Sequence, residues 1–582
     1  MSVPGTLPDW LSSKRFFGVM AALYICVATV MAWRMLGNPA FGADDANIFF
    51  VYARNFIHGH GIVYNAGGEH VEGFSSVLYF LICTIVFALP SSPERLLFLL
   101  NVFFAVITSI LIVNTIGDIV GRLQFSVVSK LLLVAAYFVW LFFNPCYFAW
   151  NTVSLMDTAL YSLLITTGYV FLAHLMLADC QITQWHARLL TALIVLTILS
   201  RPEGIVWALL QFSGFAWICW RCTSPLPENL IKIRLPFMGL LVTPVVLTLF
   251  RVFYFGYPLP NTYYAKVSAS LSATLTDGWG YFTSFVSFYG ILLLLPLGIM
   301  LVWIIYTSIV KKPRTLIFSL ACLTAAFSLT GLVIPVLEGG DHFYAFRMYQ
   351  PVYPVFFFSI LFPPLLFTGS SKRYLPSGYA FTVILLIAFA GHGAWNTFAD
   401  SNQLGQPIAD MRMHMLAEFS IATNERENGA QLHQLLHNDL PTIGFGSAGG
   451  IAYGYDGTVY DLMGLNNVRM AHADAIKTGP KGHQSFNKEV FYQLSPDILM
   501  PRAAAANTPI NLALVERYYT DPGSWDNQIF KGLFNDDRFR ASYTLALLAD
   551  VSQPNIVCYG YFSNAYLLRL LKNKDIRLSY LH

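Results

Sequence analysis

The stretch Lys14–Asp45 reads KRFFGVMAALYICVATVMAWRMLGNPAFGADD. Two basic residues precede an apolar run from Phe17 to about Leu36, and an acidic pair follows it. About 20 such residues are needed for a helix to cross roughly 30 Å of hydrocarbon. The run is longer than the apolar core of a cleaved leader, and no small-x-small cleavage site follows it cleanly. We read it as an uncleaved first span with a cytoplasmic N-terminus, which places Asp44 and Asp45 just beyond the opposite face of the bilayer.

The rest of the chain repeats the pattern. Hydrophobic residues make up 56% of the 582 and charged residues only 12%; the mean hydropathy is +0.55. Soluble chains carry about 25% charged residues. Apolar runs recur at about 17–37, 96–116, 130–148, 157–178, 189–200, 205–220, 236–254, 283–308, 316–336, 352–369 and 376–395. Unpaired backbone groups are not tolerated in lipid, so these runs predict helices. The pair 189–200 and 205–220 is split by Arg201-Pro202-Glu203-Gly204, which predicts a hairpin of two short helices. The expected fold class is therefore a polytopic α-helical membrane protein with about eleven transmembrane helices. A net charge of +3 argues against nucleic acid as a partner. Cys219 and Cys222 form a C-x-x-C with no second pair, which does not make a metal site.

The segment 74–89 decides the topology. It is apolar but only about as long as the shortest spans. If it does not cross, the cytoplasmic loops hold Lys14, Arg15, Arg122, Lys130, Arg188, Arg221, Lys232, Arg234, Lys311, Lys312, Arg314, Lys372 and Arg373. The external loops then hold only Arg54, Arg95, Arg201, Lys266 and Arg347. If it crosses, the bias reverses. The positive-inside rule selects the first arrangement, with 74–90 as a juxtamembrane or re-entrant helix. The same choice gathers Asp44, Asp45, Glu69, Glu72, Asp157, Arg201, Glu203, Lys266, Glu338, Asp341 and Arg347 on the external face. Charges at a span cost about 2.5–3.5 kcal/mol each near its centre, so such a grouping implies a water-accessible cavity.

After Trp395 the polarity becomes ordinary. Met411–Leu436 predicts a helix, and Thr442–Ile451 and Thr458–Leu462 predict strands around Gly-rich turns. We divide the chain into a transmembrane module, 1–395, whose first external loop spans 38–95 with juxtamembrane helices, and an external α/β domain, 396–582.

Several polar residues suggest chemistry. Asp44 and Asp45 suit a general base, or a carboxylate holding a metal or a sugar hydroxyl; the competing reading is a helix N-cap. Arg54, Arg201, Lys266 and Arg347 are the external cations suited to a phosphate, against simple anchoring at lipid headgroups. His58, His60 and Glu69 are weak candidates for a divalent metal, His60 also for a sugar. Asn261, Tyr263 and Tyr264 suit a half-wet sugar or lipid site, against an interfacial aromatic belt. Glu72, Asp157 and Asp341 complete the candidate substrate-binding set, Asp157 also suiting a helix cap.

The segments DDANIFFVYARNFIHGHGIVYNAGGEHVEGFSS (44–76), SLMDTALYSLL (154–164), RPEG (201–204), YFGYPLPNTYYAK (254–266) and EGGDHFYAFRMYQPVYP (338–354) follow one another along the chain. In that order they resemble the motif series of the GT-C membrane glycosyltransferases known as mycobacterial terminal β-(1→2)-arabinofuranosyltransferases. GGIAYGYDGTVYDLMGLNN (449–467) is similar to their external C-terminal domain. The first and fourth segments are long enough to be specific, whereas RPEG alone is weak. Segment 501–540 matches no motif, which leaves the acceptor open.

The resemblance implies a multi-pass enzyme of the bacterial inner (plasma) membrane with a periplasmic or extracellular C-terminal domain. It implies a polyprenyl-phosphate-linked sugar donor, a cell-envelope glycan or glycolipid acceptor, and an inverting displacement. It implies an acidic base in the first external loop, at Asp45 or Asp44. Asp45 is the one we favour, as the deeper of the two in the motif, with Asp44 orienting. No cofactor is required beyond a divalent metal at most. A flippase for lipid-linked sugar fits less well, since no internal repeat is present. A non-catalytic assembly factor would not need so crowded a first loop.

Overall fold

A computed structural model describes residues 13–367 and 410–580, apart from 125, 143, 179–180, 222–225, 269, 311–314, 344, 438 and 574, together with 383, 384 and 387. The expected span 376–395 thus falls almost wholly outside the described residues, as does Cys222. The chain folds as a polytopic helical protein with a C-terminal sheet. Its described residues form two compact units, neither contiguous in sequence.

The first unit comprises Met1–Asn38, Arg95–Leu247 and Thr274–Leu416. It holds α1 (Lys14–Met35), nearly all of α4 (Pro93–Arg122), α5 (Val127–Phe142), α6 (Pro145–Phe148), α7 (Thr158–Leu177), α8 (Gln184–Ser200), α9 (Gly204–Arg221), most of α10 (Leu226–Phe255) and of α12 (Leu271–Val310), α13 (Leu316–Leu337) and α14 (Tyr353–Phe367). Six helices among the described residues are long and apolar enough to cross a membrane: α1, α4, α7, α10, α12 and α13. The run expected at 130–148 is not straight. It bends by 74° between α5 and the segment Cys146–Val153, which would make a seventh span only as a broken one. Pro145 begins the second piece, and proline both lacks a donor and pushes the residue before it out of the helical region. Residues 189–220 form two helices that break at Arg201-Pro202-Glu203, as their sequence indicates, and α8 packs against α9. Neither alone meets the measure of a full span by length and composition, which six helices meet among the described residues, or seven with the bent pair.

Packing within this unit sorts the helices. The face of α1 that carries Val19, Leu23, Val27 and Val30 is exposed, while Ala21, Ile25, Ala28 and Ala32 are buried. Small residues let helices approach closely where lipid gives no hydrophobic drive between them. Polar pairs reinforce that packing: Tyr169 with Thr324 at 2.8 Å, and Ser328 with Ser359 at 2.7 Å. Trp140 stacks on Tyr353 at 4.4 Å, both buried.

The second unit comprises Pro39–Glu94, Thr248–Ala273 and Ala417–His582. The first loop supplies α2 (Asp44–Ile57) and α3 (Val77–Phe87). Eleven residues of helix reach only about 16 Å, short of the roughly 30 Å of hydrocarbon. It lays Tyr79, Phe80 and Cys83 inward and leaves Leu81 and Ile85 exposed. The middle segment supplies α11 (Asn261–Lys266). The C-terminal part supplies most of the helix Asp410–Leu436 and a six-stranded sheet in the order β2-β1-β3-β5-β4-β6. Strands β1 (Ile443–Phe445), β2 (Val459–Asp461) and β3 (Ile498–Ala505) run parallel, and β4 (Tyr543–Asp550), β5 (Ile556–Ser563) and β6 (Ile576–Tyr580) extend the sheet antiparallel. The strand expected over 442–451 stops at Phe445, because the small residues after it turn the chain into the helix Gly450–Tyr455.

Candidate active site

Asp44 and Asp45 open α2, after Ala43 at the N-cap. Successive residues on a helix point about 100° apart, so the two carboxylates face different surroundings. Asp44 is buried, and its two oxygens accept from the backbone N–H groups of Gly450 at 2.8 Å and Gly449 at 3.0 Å. Burial pushes its pKa up to about 7, against the pull of those two bonds, with Asp45 and Glu425 adding to the rise. Asp45 is partly exposed, at 22%, and its Oδ2 lies 3.9 Å from Nζ of Lys266, exposed at 28%. A pKa near neutrality would favour Asp44 as a base, but reach comes before pKa, and both Asp44 oxygens are already engaged. Asp45 is the more exposed of the two carboxylates.

The same unit turns other candidates into braces. Arg54 donates to the carbonyl of Tyr453 at 2.8 Å, pairs with Asp456 at 3.1 Å and lies over the Tyr453 ring. These contacts tie it to the end of the helix Gly450–Tyr455. Glu72 is buried in a two-pronged pair with Arg251 at 2.7 and 2.9 Å. Its pKa is raised by burial and pulled back by that guanidinium. Asn261 is buried and donates to the carbonyls of Gly464 and Leu465 at 2.8 and 2.9 Å. Tyr263 is exposed, while Tyr264 and Tyr257 pack on His472 at 4.1 and 4.2 Å. The metal candidates do not assemble. His58 and His60 are exposed, Glu69 accepts from the backbone of Val468, and His70 stacks on Tyr254. No group of three or more His, Cys, Asp or Glu able to hold a metal occurs among the described residues.

The first unit carries a second constellation. Arg201 Nε donates to Glu203 at 2.5 Å and Nη1 to Asp157 at 3.4 Å. Arg347 Nε donates to Asp341 at 2.7 Å, with its guanidinium over Phe343 and Trp150. Glu338 joins them, its carboxyl held well above the ordinary range by burial and by Glu203. Asp157 is raised by burial against the pull of Arg201 and Arg347. Four carboxylates thus meet two guanidiniums. Arg201 and Arg347, two of the cations expected to suit a phosphate, are both engaged with carboxylates. Non-glycine residues in the left-handed region flank the network: Leu155 at φ 57°, Ala345 at 64° and Phe346 at 52°. Each costs on the order of 1–3 kcal/mol and persists only where the surroundings enforce it.

Sequence reading passed over Arg251 and Arg426. Arg251 had a signal, since a lone ionisable residue in an apolar run marks a partner or a pathway. Arg426 had none in its own helix, yet it is buried against Glu94 at 2.7 Å, Asn47 and the ring of Tyr453.

No protein-family model matches the chain. No curated protein matches it either. Among solved structures it is similar to ArnT from Cupriavidus metallidurans. The form bound to undecaprenyl phosphate aligns at 12% identity and a TM-score of 0.41, over 83% of this chain and 92% of that one. The apo form aligns at 11% and 0.40, over the same shares.

Proposed function

We propose that the chain is a GT-C membrane glycosyltransferase that moves a sugar from a polyprenyl-phosphate donor to a cell-envelope glycan or glycolipid, with Asp45 as general base and Lys266 as the cation beside it. The observation that carries this is the pairing itself. Asp45 and Lys266 come from the two most specific of the matching sequence segments, more than 200 residues apart, and stand 3.9 Å apart with both groups open to solvent. A general base must be within reach of the hydroxyl it deprotonates, and a cation beside it can meet the phosphate that leaves.

In the reaction, the acceptor hydroxyl approaches the anomeric carbon from the side opposite the lipid phosphate. Asp45 takes the hydroxyl proton as the new C–O bond forms. The bond from the anomeric carbon to the phosphate oxygen breaks, and the configuration inverts. Lys266 offsets the charge that develops on the leaving phosphate. The donor sugar is a pentose such as arabinofuranose, or another sugar, and the reaction takes place on the external face of the inner membrane, with the C-terminal domain on that side.

The test is chemical. Surface glycans of cells with and without the chain are compared, and membrane vesicles are assayed for transfer from polyprenyl-phosphate pentose. Loss of one sugar from the glycans, restored by the wild-type chain, is expected; identical glycans contradict the proposal. A C-terminal tag labelled only from inside the cell contradicts the assigned side.

A further inference from the structure

Both halves of the Asp45–Lys266 pair hang from the C-terminal part of their unit. On the aspartate side, the bare segment Ser447–Gly450 lies against the first turn of α2. A Cβ on Gly449 would stand 1.9 Å from the carbonyl oxygen of Asp44, so no other residue fits there without moving that turn. Gly449 and Gly450 give their N–H groups to the Asp44 carboxylate, and Tyr64 donates its hydroxyl to Ala448. Asn47, one turn on, ties back to the carbonyl of Ala43 at 3.0 Å and accepts from Arg426. On the lysine side, Asn261 begins α11 and is fastened to Gly464 and Leu465, and the carbonyl of Ala265 accepts from Ser485 at 2.6 Å. Gly73 repeats the close approach, since a Cβ there would meet the Asn466 side chain at 1.7 Å.

We propose that the C-terminal part is a positioning device for the reaction, in which the Gly449–Gly450 cradle acts through Asp44, and the Asn261 anchor through α11, to set where Asp45 stands relative to Lys266. The proposal rests on the reading of Asp45 as the base. Gly449, Gly450, Asp44 and Asn261 are positioning residues; none need touch substrate. A misplacement of about 1 Å far from the chemistry can cost on the order of 10²-fold in rate. The C-terminal part then acts as a jig for catalysis, whatever else it binds.

The test uses the full chain in membranes with polyprenyl-phosphate pentose as donor. Gly449→Ala and Asn261→Ala are each made alone and combined with Asp45→Asn, and rates are expressed per folded molecule. The expected result for each single variant is a fall in kcat on the order of 10²-fold, donor KM within about threefold, and a displaced acid limb of the pH profile. Added to Asp45→Asn, neither variant lowers the residual rate further, because residues that act as a unit are not additive. Asn261→Ala removes only two hydrogen bonds, so it decides the matter if Gly449→Ala fails to fold. Unchanged kcat with only a loss of stability overturns the positioning role, as does a loss that multiplies with that of Asp45→Asn. Full transfer by Asp45→Asn alone overturns the base assignment instead.

Discussion

Two clusters of charge, one in each unit, use the same residue types to opposite ends. In the first unit Asp157, Glu203, Glu338 and Asp341 close on Arg201 and Arg347, and side-chain exposures of 2–15% leave little of Asp157, Arg201, Glu203, Asp341 and Arg347 to solvent. In the second, Asp45 and Lys266 meet at 3.9 Å with about a quarter of each side chain open. The first is self-satisfied and held by strained backbone. The second stays open to solvent. Burial, rather than residue type, is what separates the two clusters.

The strongest way to break that comparison is Arg201→Met. Removing one partner of a buried ion pair leaves Glu203 and Asp157 uncompensated and costs about 3–5 kcal/mol. Thermal unfolding in detergent should show that loss, with donor KM per folded molecule unchanged. A raised KM at unchanged stability would restore the phosphate role.

A smaller effect separates the two adjacent aspartates. The folded pKa of Asp44 is raised, so its contribution to stability is complete below the unfolded value of 3.8 and is lost as pH rises through about 7. Stability should therefore fall by about 2 kcal/mol between pH 5 and pH 7.5. Asp44→Asn should flatten that slope, whereas Asp45→Asn, which removes only a minor contributor to the rise, should keep most of it.

Smallest is Lys266→Met. A partly exposed pair contributes at most about 1 kcal/mol to folding, so unfolding should barely change. Transfer should fall about tenfold, equivalent to ~1.4 kcal/mol at the transition state, with Lys266→Arg retaining most of it. Equal rates for Lys266→Met and wild type would remove the lysine from the site.

Run length and charge bias made the membrane helices, the break at Arg201-Pro202 and the short α3 readable in sequence, because bilayer thickness constrains them locally. The bend near Pro145 was readable too, had the proline been weighed against the length of its run. What sequence could not give was partnership. Arg251 meets Glu72 across 179 positions and Arg426 meets Glu94 across 332. Neither separation leaves a periodic trace. The aspartate pair illustrates the limit within one turn: DD identifies the place, but only the Gly449–Gly450 segment, some 400 residues on, determines which carboxylate is occupied.

Whether Asp45 is the base is decided by single-turnover transfer from polyprenyl-phosphate pentose with wild-type and Asp45→Asn protein at equal folded concentration. General base catalysis contributes about 10²–10⁴-fold, so the variant should be slower by that factor, with donor binding retained. Transfer by Asp45→Asn at the wild-type rate would contradict the account.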